Sequence, residues 1–340
     1  HHPHTMLATA THDSKRGEDT RLRIDALSEM PDAWRQHLDR WARLNQVFKQ
    51  EVNGQAAPDA NDEYLLYQTM LGAWSDDSDL VGRLCAAMEK SLREAKRHTS
   101  WSHFNPAYEQ AVLDFVRRIA ETDRKNPFLE DFKALQTRLS RLGEVYGLGQ
   151  TLLKLTVPGV PDIYQGCELW QLALVDPDNR RPVDYARRRH LLDQAKASTA
   201  DPASGWAEGL PKLRLIHRAL TYRKEQSALF EQGEYRPLTV RGDKAPHVLA
   251  FARLLENKAV LVAVPLMLAR LWPEAQRMPP LGAAWKGTGI EVPGQVAFGR
   301  FHNLLTGEEL SPHPRRGAQV LGGDDVFRSF PVAMIEAATP

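Results

Sequence analysis

The stretch Pro158–Asp184, PGVPDIYQGCELWQLALVDPDNRRPVD, decides how the chain is read. A Pro-Gly turn is followed by a short apolar run, Val160 to Tyr164. The run is too short for a helix and is bounded by Gly166. Pro161 fits only the first position or the edge of such a strand. After Gly166 come Glu168, Trp170, Asp176, Asp178, Asn179, Arg180, Arg181 and Asp184. A solvated loop has no need of paired carboxylates, an Arg pair and an indole together. A polar cleft at the end of a buried strand can use all of them, as in β/α barrels.

Upstream, Asn126–Leu155 carries Phe128, Phe132, Leu135, Leu139, Leu142, Val145, Leu148, Leu152 and Leu155 on one helical stripe. Gly143, Gly147 and Gly149 interrupt the stripe, which suggests close approach to a sheet. A helix that packs back to deliver the next parallel strand is β/α logic. The chain starts with His4–Thr11, which has the small, β-tolerant residues of a buried strand, followed by HDSKRGED (His12–Asp19). A His-Asp pair at a strand end fits the working face of a barrel. It fits equally a solvated loop with a helix N-cap at Ser14 or Asp19.

From Glu18 to about residue 124 the chain reads as helices. Pro31 opens one of them, and Trp34, Leu38, Trp41, Leu44 and Phe48 form a packing stripe. Gln50–Asn61 reads as a connection, and Asp62–Trp74 as a further helix. Trp101 and Tyr108 fit sugar platforms and amphipathic core positions alike. Beyond Asp184, Tyr185–Ala195 is a basic helix with a solvated face, Ser198–Gly209 a loop, and Pro211–Gln226 a helix. The period then alternates, and Tyr235–Val240, His247–Leu254, Lys258–Val264, Val296–Leu305 and Phe327–Ile335 read as strands of a small antiparallel β domain.

The chain has 340 residues, 44 Lys+Arg against 43 Asp+Glu, and 42% hydrophobic residues. That length allows more than one domain, and the balanced charge gives no reason to expect nucleic acid or an anionic membrane as partner. No segment has membrane-spanning length. His1 and His2 read as a tag remnant. Cys85 and Cys167 give no disulfide framework, so a reducing, cytoplasmic compartment is expected. Phosphate loops, CxxC zinc patterns and GxSxG elbows are absent. His98 and His103 lack the spacing of a helical metal pair, so neither a metal nor a cofactor is expected.

A strand reading PGVPDIYQG-x-E resembles the last barrel strand of the α-amylase family. ELWQLALVDPDNRRPVDY, THDSKRGED, DEYLLYQTMLGAW and REAKRHTSW resemble the maltooligosyltrehalose synthases, intramolecular transglycosylases of that family. The resemblance implies the C-terminal part of a (β/α)8 TIM barrel with a large helical insertion, followed by an antiparallel β-sandwich domain. The corresponding divisions are a barrel strand with the His-Asp pair (1–16), the insertion (17–125), the last barrel helix, strand and active-site loop (126–228), and the β domain (229–340). Asp13 aligns with the third family carboxylate, which stabilises the transition state, and His12 with the histidine that contacts the same sugar. Lys15 and Arg16 would line the neighbouring subsite. Trp101, Tyr108, Tyr164, Glu168, Asp176, Asp178, Arg180 and Arg181 are the remaining substrate-binding candidates, the last four also fitting a salt-bridged loop.

The implied partners are a maltooligosaccharide and an N-terminal half of the barrel carrying the nucleophile and the general acid/base. The residues present would then be inactive alone. Three departures stand out. Ser14 replaces Thr, Cys167 stands where Thr is expected, and Gln171 stands where Asp is expected. The last would weaken a sugar contact if it made one. An α-glucan hydrolase and a non-catalytic glucan-binding or partner-binding module are the alternatives.

Overall fold

The computed structural model of the chain describes residues 3–122, 125–197, 201–273, 278–292, 294, 299–315 and 318–338. His1 and His2, residue 124, residues 198–200 of the expected loop and residues 296–298 of an expected strand lie outside them. Helices and sheets are mixed. Two compact units are distinguished. One comprises residues 12–143 and 172–181, the other residues 1–11, 144–171 and 182–340. The helical unit thus takes in Leu172–Arg181, which the sequence divisions assign to 126–228.

The chain opens with strand β1 (Met6–Ala8). In the helical unit, α1 (Glu18–Asp25) and α2 (Pro31–Asn45) are followed by strands β2 (Gln50–Val52) and β3 (Gln55–Ala57), then by α3 (Ala60–Ala73), α4 (Leu80–Ala95), α5 (Pro106–Ile119) and the start of α6 (Pro127–Thr156). The segment expected as a plain connection is therefore an antiparallel hairpin. Its turn is Asn53-Gly54, both at positive φ (52° and 78°), the conformation that closes two-residue hairpins. The cap of α1 is Gly17, without a side-chain bond, and not Ser14 or Asp19. Trp41 is fully buried among the rings of Trp34, His37, Tyr67, Phe128 and Phe132. Its indole N–H donates to Asp131 Oδ2 at 2.7 Å, so its polar edge is satisfied. Of the packing stripe, Trp34 and Trp41 are buried, Leu38 and Leu44 half-buried, and Phe48 exposed.

Helix α6 runs unbroken for 30 residues through the glycines expected to interrupt it. Gly143 is there for proximity: a Cβ at that position would lie 2.7 Å from Arg23 Cγ of α1. Every stripe residue from Phe128 to Leu155 is buried. The first of them pack in the aromatic core, and Leu148, Leu152 and Leu155 enter the core of the second unit.

In the second unit, β1 pairs in parallel with β4 (Val160–Asp162) through Met6–Val160, Leu7–Pro161 and Ala8–Asp162. The parallel pairing matches the expectation, the burial does not. Met6 and Val160 are exposed, because among the described residues the two strands pair only with each other and Pro161 sits in an edge strand. Helices α7 (Tyr185–Ala197), α8 (Leu210–Glu225) and α9 (Ser227–Glu231) follow. Arg223 donates to the carbonyls of Leu155 and Gly159, and Arg253 to that of Thr156, satisfying the end of α6 and the turn into β4.

The described residues of the remainder include two antiparallel sheets. Six strands run in the order β11 (Glu309–Leu310), β10 (Arg300–Asn303), β14 (Ala333–Ala338), β8 (Lys258–Pro265), β7 (Val248–Leu255) and β5 (Glu234–Pro237). Four run as β12 (His313–Arg315), β13 (Ala318–Gly322), β9 (Gly289–Glu291) and β6 (Val240–Arg241). Phe251, Val260, Val262, Val264 and Met334 from the larger sheet meet the α6 leucines in one core. A Leu152→Ala change there would cost about 2–5 kcal/mol. Strands β9, β11, β12 and β13 were not expected from sequence. The strand expected at Phe327–Ile335 begins only at Ala333.

Candidate active site

The segment Leu172–Arg181 is built into the helical unit by its backbone and by one buried arginine. Gly17 N–H donates to Ala173 O at 2.8 Å, the Thr20 hydroxyl donates to the same oxygen, and Arg16 forms a β-bridge with Leu174. Arg83 of α4 clamps the Asp178 carboxylate with two parallel bonds, Nε to Oδ1 at 2.8 Å and Nη2 to Oδ2 at 2.9 Å. It also donates to Leu172 O at 2.6 Å and to Asp77 Oδ2 at 3.1 Å. Leu174 N–H donates to Asp178 Oδ2 at 2.7 Å. Bidentate pairing of this kind fixes direction as well as distance. The partners keep the Arg83 guanidinium charged although burial alone would disfavour the charge.

The remaining charges of the loop are more open. Arg180 Nε lies 2.6 Å from Asp176 Oδ1, and Arg181 Nη1 donates to Asp77 Oδ2 at 2.8 Å. Lys90 donates to Asp176 O at 2.8 Å. The bond from Arg181 holds the Asp77 carboxyl below the usual range, against a smaller opposing effect of burial. A cavity of about 320 Å³ opens here, lined by Arg83, Ala87, Val175, Asp176, Pro177 and Arg181.

The His12-Asp13 turn belongs to the same unit. Asn179 donates its amide to His12 O at 2.8 Å, tying the turn to the loop. His12 Nε2 lies 3.1 Å from Asp13 Oδ2, and the Asp13 side chain is 83% exposed. Lys15 Nζ contacts Glu94 Oε2 at 2.7 Å. Arg16 Nη2 donates to Thr69 Oγ1 at 2.8 Å from a half-buried position, and burial lowers its pKa.

The other candidates divide sharply. Trp101 is exposed, with the Arg93 guanidinium 4.9 Å from its ring centroid. Tyr108 is buried, and that corrects its reading as a sugar platform. Its ring stacks on His98, its hydroxyl donates to Asp62 Oδ2 at 2.6 Å, and it accepts from Asp59 N–H at 3.0 Å. A ring with no open face cannot stack on a pyranose. Asp59, Asp62 and His98 bring ligand-type atoms within 4.8 Å of one another. Those atoms serve the protein: Asp59 caps α3 through the N–H groups of Asn61 and Asp62 and contacts His98 Nε2 at 2.8 Å.

In the second unit, Tyr164 is half-buried, and Glu168 Oε2 is held by Arg188 Nε at 2.9 Å. Arg188 also donates to Gly166 O, so the basic helix α7 is not wholly a solvated face. Two of the departures noted from sequence touch each other. The Cys167 thiol donates to Gln171 Oε1 at 3.1 Å, and the Gln171 amide donates to Gln165 O. Gln171 is thus engaged by the protein.

Sequence reasoning missed Arg83, Arg93, Glu94, Glu109 and Arg188. A signal existed for Arg83. It lies between Leu80 and Leu84 on the buried stripe of α4, where a charge requires a partner.

No family model matches the chain. A curated relative in Mycobacterium tuberculosis H37Rv, named a maltooligosyl trehalose synthase, is 35% identical over 315 residues, 92% of this chain and 36% of the relative. The solved maltooligosyltrehalose synthase of Arthrobacter ramosus superposes with a TM-score of 0.78 at 32% identity, covering 99% of this chain and 39% of that one. A second solved maltooligosyl trehalose synthase gives 0.74 at 26% identity, with 98% and 40% coverage. The chain thus spans little more than a third of the length of the curated relatives it matches.

Proposed function

We propose that these residues are the C-terminal portion of a maltooligosyltrehalose synthase. The whole enzyme would convert the reducing-end α-1,4 linkage of a maltooligosaccharide into the α,α-1,1 linkage of trehalose. The observation that carries this reading is similarity across 92% of the chain to a relative of that name. The parallel β1–β4 pair supports it. In sequence β1 is followed by His12-Asp13, and β4 by the loop anchored on Arg83. On this reading β1 and β4 are the last two strands of a (β/α)8 barrel, residues 17–125 are an insertion between them, and residues 229–340 form a β-sandwich.

Glycosyl transfer with retention needs a nucleophilic carboxylate and a general acid/base. Both are assigned to the part of the enzyme outside these residues. Asp13 supplies the third carboxylate. Its negative charge stabilises the oxocarbenium-like transition state, and His12 hydrogen-bonds the same sugar. Asp178 holds the loop. Asp176, Arg180, Arg181 and Lys15 are left to retain the freed glucose so that its anomeric hydroxyl, not water, accepts the glycosyl group.

The test joins these residues to the N-terminal part of the Arthrobacter ramosus synthase and separates the products formed from maltopentaose. A trehalosyl isomer of unchanged mass is expected, and none from the 340 residues alone. Glucose and maltotetraose without the isomer would contradict the reading in favour of an α-glucan hydrolase. Trehalosyl product from the 340 residues alone would show that they contain a complete catalytic pair.

A further inference from the structure

We propose that Trp101 and Phe104 form a preset contact surface for the α-glucan chain, and that Arg93, locked by Glu109, is the positioning residue that presets it. The proposal rests on the glucan reading above and extends it to Phe104 and Arg93, to which that reading gives no role.

The last turn of α4 carries two adjacent charges with different tasks. Glu94 contacts Lys15, two residues after Asp13, at 2.7 Å. Arg93 donates to both oxygens of Glu109 on α5, at 2.9 and 2.7 Å. The same guanidinium lies 4.9 Å from the Trp101 ring centroid and 5.0 Å from that of Phe104. Each ring therefore has one face against a fixed cation. Both remain open to solvent, at 53% and 57% exposure.

The loop between them is closed on itself. The Thr99 hydroxyl donates to Glu109 Oε1 and accepts from Asn105 N–H. Ser100 N–H donates to His103 O, and His103 N–H to Ser100 Oγ. Aromatic rings fixed in this way lose little rotamer freedom on binding. Exposed Ser102 and His103 border them. Flat rings edged by hydroxyl and imidazole suit a pyranose, which has an apolar C–H face and a rim of hydroxyls. The Lys15–Glu94 contact links the end of α4 to the segment that follows the His12-Asp13 turn.

The test labels the 340-residue chain with 5-fluorotryptophan, assigns Trp101 by a Trp101→Phe variant, and titrates maltopentaose by fluorine NMR and calorimetry. The Trp101 resonance is expected to shift with saturation, and Arg93→Met to weaken binding about tenfold. Calorimetric binding with a stationary Trp101 resonance overturns the platform while leaving the glucan reading intact. Absence of maltopentaose binding by the chain overturns the preset surface, while trehalosyl product from the completed enzyme still decides the glucan reading. A correctly folded Arg93→Met chain that binds like the parent removes the positioning role. Should that variant fail to fold, the Trp101 resonance of the unsubstituted chain still decides.

Discussion

Asp13 and Asp178 are carboxylates of the same helical unit, and the fold treats them in opposite ways. Asp178 is 11% exposed and receives two arms of Arg83 and the Leu174 N–H. Asp13 is 83% exposed and lies beside His12. A carboxylate surrounded by donors is a structural anchor whose charge is already used. Asp13, exposed beside His12, can be reached by a bound molecule. The sequence presents the two alike, each in a run of charged residues, and only burial and partners separate anchor from candidate reactive group.

The largest expected effect follows from the anchored side. Asp178→Ala leaves Arg83 buried without its main partner, a situation that costs about 3–5 kcal/mol. Thermal melts of the 340-residue chain measure it. A loss under about 1 kcal/mol would mean that Arg83 re-pairs with Asp77 alone, and the contrast would weaken accordingly.

A smaller effect is expected at Glu109. The Arg93 bonds hold its carboxyl below the ordinary value of 4.5. A carboxyl lowered on folding contributes stability that is complete above its unfolded pKa and drains away as pH falls through the folded one. Glu109→Gln should therefore lower the melting temperature at pH 7, by less than Asp178→Ala. The gap from the parent should close as the pH is taken below about 4.5. A gap independent of pH would show that Glu109 acts through packing and not through charge.

The smallest effect concerns Cys167 and Gln171. Thr at 167 with Asp at 171 would again place a hydroxyl donor opposite a side-chain acceptor, so the double variant is expected to cost no more than about 1.5 kcal/mol. Gln171→Asp alone should destabilise more than the double variant. Additive changes in a double-mutant cycle would show that the two side chains do not act as a pair.

Much of the fold was legible where one signal dominated. The α6 stripe gives a helix by its spacing alone, and Pro31 marks the start of α2. Pro158-Gly159 before the apolar run gives β4, although its partner β1 is exposed where a buried strand was expected. The hairpin at Asn53-Gly54 carried a strong turn signal, but its strands QEV and QAA lack the β-branched alternation that would have supported it. Strands β9, β11, β12 and β13 hold two to five residues each, too few for a period to show. In the candidate site, Tyr108 shows why side-chain roles resist reading from sequence. Its helical position suits a core and a platform equally, and the choice is made by Asp59 and Asp62, more than forty residues away in sequence. Arg83 and Asp178 are separated by 95 positions, and nothing local in either segment announces the other.

The most direct measurement of the central claim is Asp13→Asn in the enzyme completed with the Arthrobacter ramosus N-terminal part. Formation of the trehalosyl isomer from maltopentaose is followed alongside a thermal melt of each protein. Because Asp13 is exposed, the melt should shift by no more than about 0.5 kcal/mol. If Asp13 is the third carboxylate proposed above, turnover should fall about a hundredfold or more with the loss of its charge, while KM changes little for a neutral sugar. Turnover within about twofold of the parent, with an unchanged melt, would contradict the account and reduce Asp13 to a solvated turn residue.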